Sequence, residues 1–152
     1  MSNLKEFSRQ VVEVMPLMFR EFSKREGNEL TRGKISFPQM VALDYVSTHR
    51  KVKMTELSKV LSTQLSSTTV LVDRLIEQGF LSRCRDESDR RVVWVSATAK
   101  GKKVISKIMS EKRRSIEEIF KPLSFEEREQ YLAILKKVKE SLIRSRELGV
   151  KR

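Results

Sequence analysis

One cysteine, one histidine, five glycines and three prolines among 152 residues leave little room for several kinds of chemistry. A lone Cys84 forms no internal disulfide, which fits a reducing compartment, and the expected location is the cytoplasm. With His49 as the only imidazole and Cys84 as the only thiol, a structural zinc site fails on ligand count. No Gly-rich phosphate loop, nucleophile elbow or pair of carboxylates at catalytic spacing is present, so neither an enzyme nor a cofactor or metal is expected. Long apolar runs are also missing. The longest, Val11 to Phe22, is interrupted by Glu13, Pro16, Arg20 and Glu21 and is too short to span a bilayer. Residues Met1 to Gln10 lack the basic-then-apolar order of a secretory signal.

What is abundant is positive charge. Lys and Arg total 32 against 20 Asp and Glu, a formal net charge of +12, which predicts attraction to a polyanion. The length suits one domain, with no internal repeat, low-complexity tract or interdomain linker. Leu4, Phe7, Val11, Val14, Met18 and Phe22 recur every three or four residues, the stripe of an amphipathic helix. Pro16 must kink that helix or begin a second one, and Gly27-Asn28 supplies a stop. Ser36-Phe37-Pro38-Gln39 has capping-box spacing, with Met40, Leu43 and Val46 as the buried stripe that follows. Val52 suits one short strand.

From Thr55 to Gly101 the pattern changes to two short helices, a hairpin and the start of another helix. Thr55 is expected to cap the first, which turns Leu57, Val60 and Leu61 inward. Ser62 to Leu65 forms the turn, Ser66 begins the second helix and Gly79 ends it. At 100° per residue Thr68, Leu71, Val72 and Leu75 share the packed side. Ser66, Thr69, Val70 and Asp73 lie opposite, with Ser67 and Arg74 on the flank. Small hydroxylated side chains there let the backbone approach a groove floor and bond base edges, and Val70 suits a thymine methyl. The helix start also favours phosphate. Phe80 to Arg85 and Arg90 to Ser96 read as strands around the polar loop Asp86-Glu87-Ser88-Asp89. Arg90 and Arg91 at the tip suit a narrow minor groove or phosphate, while Asp89 braces an arginine or caps the loop. Alternation along the strand turns Cys84 away from Arg83 and Arg85, as a small strand residue rather than a redox sensor.

Thr98 caps a helix to about Phe120, and Ser124-Phe125-Glu126-Glu127 opens a last one to about Arg146. Its stripe of Tyr131, Leu132, Leu135, Val138 and Leu142 has little domain left to pack on, which argues for a partner subunit. The fold class is therefore mainly α with a small β-wing: a winged helix-turn-helix over about 36–97. Helices from about 1–30 and 98–146 form a dimerisation region within a single 152-residue chain.

The stretch DESDRRVVWVSATAKG, Asp86 through Gly101, resembles the wing signature of the MarR family of transcriptional regulators, with Asp86, Arg91, Thr98 and Gly101 in matching places. The Phe37-Pro38-Gln39 helix start and the Leu123-to-Glu127 opening of the last helix extend the resemblance over nearly the whole chain. Ser88 stands where the family commonly has arginine. Val70 stands where many members carry a basic or polar side chain, which points to methyl contact or shape readout there. The resemblance implies a homodimer joined through residues such as Leu4, Phe7, Val11, Leu132, Leu135 and Leu142. It implies binding of double-stranded DNA at a pseudo-palindromic operator through Thr55, Gln64, Ser66, Ser67, Thr69, Val70, Arg74, Asp89, Arg90 and Arg91. Repression relieved by a small aromatic or anionic effector, with no membrane partner, is also implied. Two other readings compete: a nonspecific architectural DNA-binding protein, favoured by Lys100, Lys102, Lys103, Lys112, Arg113 and Arg114, and a winged-helix protein-interaction module.

Overall fold

The computed structural model describes residues 3–25 and 35–147. The expected stop at Gly27-Asn28 lies outside the described residues. Helix α1 spans Leu4–Arg25, continuous through Pro16. Then come α2 (Phe37–Thr48), β1 (Val52–Lys53), α3 (Met54–Leu61), α4 (Leu65–Glu77), β2 (Leu81–Arg85), β3 (Val93–Ala97), α5 (Ala99–Phe120) and α6 (Phe125–Glu147). The architecture is mainly helical with one small antiparallel sheet, in the order β1-β3-β2. The chain divides into two compact units, Met1–Ser115 and Ile116–Arg152.

In the first unit α2 is the hub, packing on α3, α4 and β3. Its start is the expected capping box: Gln39 donates its backbone N–H to Ser36 Oγ at 3.4 Å, and Ser36 N–H donates to Gln39 Oε1 at 2.8 Å. Leu43, Val46, Leu57, Val72 and Leu75 are fully buried around it, with Val52, Leu81 and Val95 closing the core from the sheet. Each such side chain contributes about 1.5–3 kcal/mol by leaving water.

The two turns that set the helix pair and the hairpin share one geometry. At Gly79 (φ +74°) the backbone N–H groups of Gly79 and Phe80 donate to Ile76 O and Leu75 O, both at 2.8 Å. This is the Schellman ending that favours glycine. Ser62, also left-handed (φ 55°), ends α3 in the same way, with Thr63 N–H donating to Ser58 O at 3.1 Å.

Thr98 joins α5 to this corner. Its hydroxyl donates to Gly79 O at 2.7 Å and accepts Gly101 N–H at 3.0 Å. A Cβ on Gly101 would lie 2.0 Å from Phe80 O, so α5 can approach only as glycine.

Four expectations need correction. Thr55 is not the cap of α3. The helix starts at Met54 after Lys53, whose extended backbone is held by pairing with Trp94. Val60 does not point inward but is 38% exposed, because an eight-residue helix buries only the line through Met54 and Leu57. Helix α4 begins at Leu65 with Gln64 in the cap position, and β3 starts at Val93 rather than Arg90.

In the second unit, Ser124 and Glu127 form the expected capping box: Ser124 N–H donates to Glu127 Oε2 at 2.7 Å, and Glu127 N–H donates to Ser124 Oγ at 3.2 Å. The Phe120 and Tyr131 rings pack 5.0 Å apart. Leu132 and Leu135 of α6 are nearly half exposed and Leu142 is 66% exposed, as are Leu4 and Phe7 on α1 at 75% and 55%, with Val11 less so. Among the described residues no helix is long and apolar enough to cross a membrane.

Candidate nucleic-acid interface

Helix α4 buries Thr68, Val72 and Leu75, the side read from its spacing, and so turns Ser66, Ser67 and Val70 outward. Its start is braced from within, because Thr68 Oγ1 lies 3.1 Å from Gln64 O and 2.9 Å from Thr63 Oγ1. Thr69 directs its hydroxyl proton to Leu65 O at 2.8 Å, leaving its lone pairs outward. Ser66 and Ser67 have no side-chain partner among the described residues. Val70 is 54% exposed, a methyl surface in the middle of that polar turn.

The wing is built around Asp86. One carboxylate oxygen, Oδ1, accepts Ser88 N–H at 2.9 Å, Ser88 Oγ–H at 2.5 Å and Asp89 N–H at 3.2 Å. The other, Oδ2, accepts the Trp94 indole N–H at 2.8 Å. These donors, the Ser88 hydroxyl and the indole foremost, hold the Asp86 carboxyl far below the usual carboxylate range. Asp89 plays the bracing part expected of it. Its Oδ1 accepts both Arg91 N–H at 3.0 Å and Arg91 Nε–H at 3.1 Å. Arg90 is exposed, and neither it nor Arg74 or Arg85 makes an ion pair among the described residues.

Helix and wing meet. Arg83 on β2 pairs with Asp73 on α4, and beside that pair lies an open cleft of about 320 Å³. Thr55, Leu65, Thr69 and Arg91 line it together with Lys53 and Val93. The fold thus brings Thr55, Thr69 and Arg91 to one place, with Gln64 at the start of α4. Arg74 lies further along that helix on its exposed side. Sequence reading missed the Asp73–Arg83 link, the Asp86–Trp94 bond and Lys51 and Lys53, whose ammonium groups lie 4.4 and 5.2 Å from the Trp94 ring. It also missed the bond from Tyr45 Oη to Glu56 (2.6 Å), whose carboxylate raises the tyrosine pKa and ties α2 to α3. Cys84 is exposed opposite Trp94, while Arg83 turns to α4, the separation of faces expected of a strand.

Residues 35–93, from the start of α2 into β3, match the sequence model of the MarR family. Over that segment, which is less than half of its length, the chain is similar to the MarR family. YfiV of Bacillus subtilis (strain 168), an uncharacterized HTH-type transcriptional regulator, is 33% identical to it over 95 residues. That alignment spans 62% of this chain but only 59% of YfiV, less than two thirds of the relative's length. Among solved structures, a MarR family protein from Bacillus stearothermophilus superposes with a TM-score of 0.75 at 25% identity, over 94% of this chain and 99% of that one. Streptococcus pneumoniae FabT, solved in complex with DNA, superposes with a TM-score of 0.71 at 23% identity, over 95% of this chain and 98% of its own. These likenesses place the three-stranded sheet and the α3–α4 pair within the MarR-family winged-helix fold.

Proposed function

We propose that this chain is a MarR-family, sequence-specific DNA-binding transcription regulator, a repressor that binds a pseudo-palindromic operator as a homodimer in the cytoplasm. The observation that carries it is the meeting of α4 and wing around one cleft: Leu65 and Thr69 of α4 line it together with Arg83 and Arg91. A groove-reading helix needs small donors and acceptors near its start, and a minor-groove arm needs arginine. The FabT complex with DNA is a precedent for duplex binding by a chain of this fold. Thr55, Gln64, Ser66, Ser67, Thr69 and Val70 are assigned to the duplex on the helix side, with Arg74 on phosphate. Arg90 and Arg91, braced by Asp89, are assigned to it on the wing side. No catalytic role is assigned.

The exposed apolar residues Leu4, Phe7, Leu132, Leu135 and Leu142, with Val11, support the homodimer, because such surface seeks cover. A small aromatic or anionic effector suits the cleft, where Lys53 and Arg91 supply charge beside Met54, Leu65 and Val92.

The test measures binding to a duplex selected from random sequence against a scrambled one, over a salt series. Preference for the selected duplex should persist as salt weakens the phosphate contribution; an equal fall for both would support nonspecific binding instead. Arg91→Ala should weaken binding about tenfold while fold and solution mass stay unchanged. A monomeric mass at micromolar concentration would contradict the homodimer.

A further inference from the structure

The outer face of the sheet carries an aromatic side chain with an unusual set of contacts. Trp94 lies opposite Lys53 of β1 and Cys84 of β2. Lys51 and Lys53 stand over its ring at 4.4 and 5.2 Å, a cation–π arrangement that ties β1 to β3. Its one polar atom reaches past the end of the strand to Asp86 at 2.8 Å.

From Asp86 the contacts run on without a gap. The other carboxylate oxygen gathers Ser88 and Asp89, Asp86 N–H donates to Val92 O at 2.9 Å, and Val92 N–H donates to Asp89 O at 2.9 Å. Asp89 then holds the backbone and guanidinium of Arg91. Every group that bonds Asp86 is a neutral donor, so Asp86 itself is held by directional hydrogen bonds and not by an ion pair.

We propose that Trp94 is a positioning residue for the wing: fixed on the sheet by Lys51 and Lys53, its indole N–H anchors Asp86 and so sets where Arg91 is presented. The inference rests on the reading of the wing as a DNA contact. Phenylalanine at this place would keep the ring and its cations but leave an oxygen of Asp86 without its donor. The loop would then have to be ordered on binding, and that ordering lowers affinity.

The test is a binding cycle on the full chain with the selected duplex, using Trp94→Phe, Arg91→Ala and the double variant. Trp94→Phe should weaken binding about fivefold, with a thermal midpoint close to wild type, since one hydrogen bond to a charged group is lost. In the Trp94→Phe background, Arg91→Ala should cost about half or less of its usual factor, because two members of one network are not additive. Wild-type affinity of Trp94→Phe beside a weakened Arg91→Ala would overturn the positioning role and leave the wing reading standing. Fully additive losses would also overturn it. An Arg91→Ala variant that binds like wild type would instead overturn the wing reading, and this inference with it. Should Trp94→Phe fail to fold, Trp94→Leu removes the same indole donor and leaves the other bonds of Asp86 in place; the same loss supports the role, and undiminished affinity overturns it.

Discussion

The winged-helix segment and the terminal helices carry similar apolar patterns in sequence but treat them differently in space. Between α2 and β3, Leu43, Leu57 and Leu75 are shut away completely by neighbours within the same unit. On α6 the leucines of an equally regular stripe stay about half exposed or more, as do Leu4 and Phe7 on α1. Periodicity alone states that a face is apolar; it does not state what covers it. The first segment closes its own core and can hold α4 and the wing in register. The second offers apolar surface of the kind a partner subunit would cover, which is the basis for proposing a homodimer.

The strongest way to break this contrast is to truncate one leucine in each region. Leu75→Ala, in a site with no exposure, should lower the stability of the chain by about 2–5 kcal/mol in urea unfolding, from lost burial and the cavity left behind. Leu142→Ala should change stability by less than about 0.5 kcal/mol at concentrations where the chain is monomeric. Its effect should appear as weaker self-association in sedimentation. Equal unfolding losses for the two would end the distinction.

Helix α5 sharpens the comparison because its first half belongs to the closed core, through Gly101, Ile105 and Ile108. Gly101→Ala would place a methyl group 2.0 Å from Phe80 O, backbone that cannot swing aside as a flexible side chain would. The corner joining α4, β2 and α5 must then open, at a cost of about 1–3 kcal/mol in thermal unfolding. Lys102→Ala, one residue on and exposed, is the control and should stay within about 0.5 kcal/mol. Similar effects for both would mean that the approach of α5 to Phe80 is not tight.

The features legible in the sequence are those coded by short spacing. Ser36 with Gln39, Ser124 with Glu127, Gly79 as a helix stop and the Thr68–Val72–Leu75 face each depend on residues within one or two turns. The wing tip was also legible, since Asp89 and Arg91 are near neighbours. The framework behind it was not. Asp73 meets Arg83 ten positions away, and Trp94 meets Asp86 eight positions away, only because β2 and β3 pair in one register. Lys51 reaches Trp94 because β1 joins the far side of β3, an order that the isolated Val52 signal could not reveal. Thr55 reads as a cap because it is a good one in isolation; the sheet, by extending Lys53, starts the helix earlier.

The smallest expected effect lies at the turn between α3 and α4. Ser62 occupies the left-handed position that Gly79 occupies after α4, and a Cβ there crowds the backbone. Its hydroxyl returns only a long bond, 3.4 Å to Lys59 O, at an exposed place. Ser62→Gly removes the crowding but adds freedom to the unfolded chain, so the two changes partly cancel. A net gain of about 0.5 kcal/mol, seen as a rise of about 1–2 °C in melting temperature, is expected. DNA affinity should not change, because the same turn is kept and α4 starts in the same place. A loss of stability would mean that the serine hydroxyl contributes more than its geometry indicates, and a change in affinity would mean that the turn itself touches the duplex.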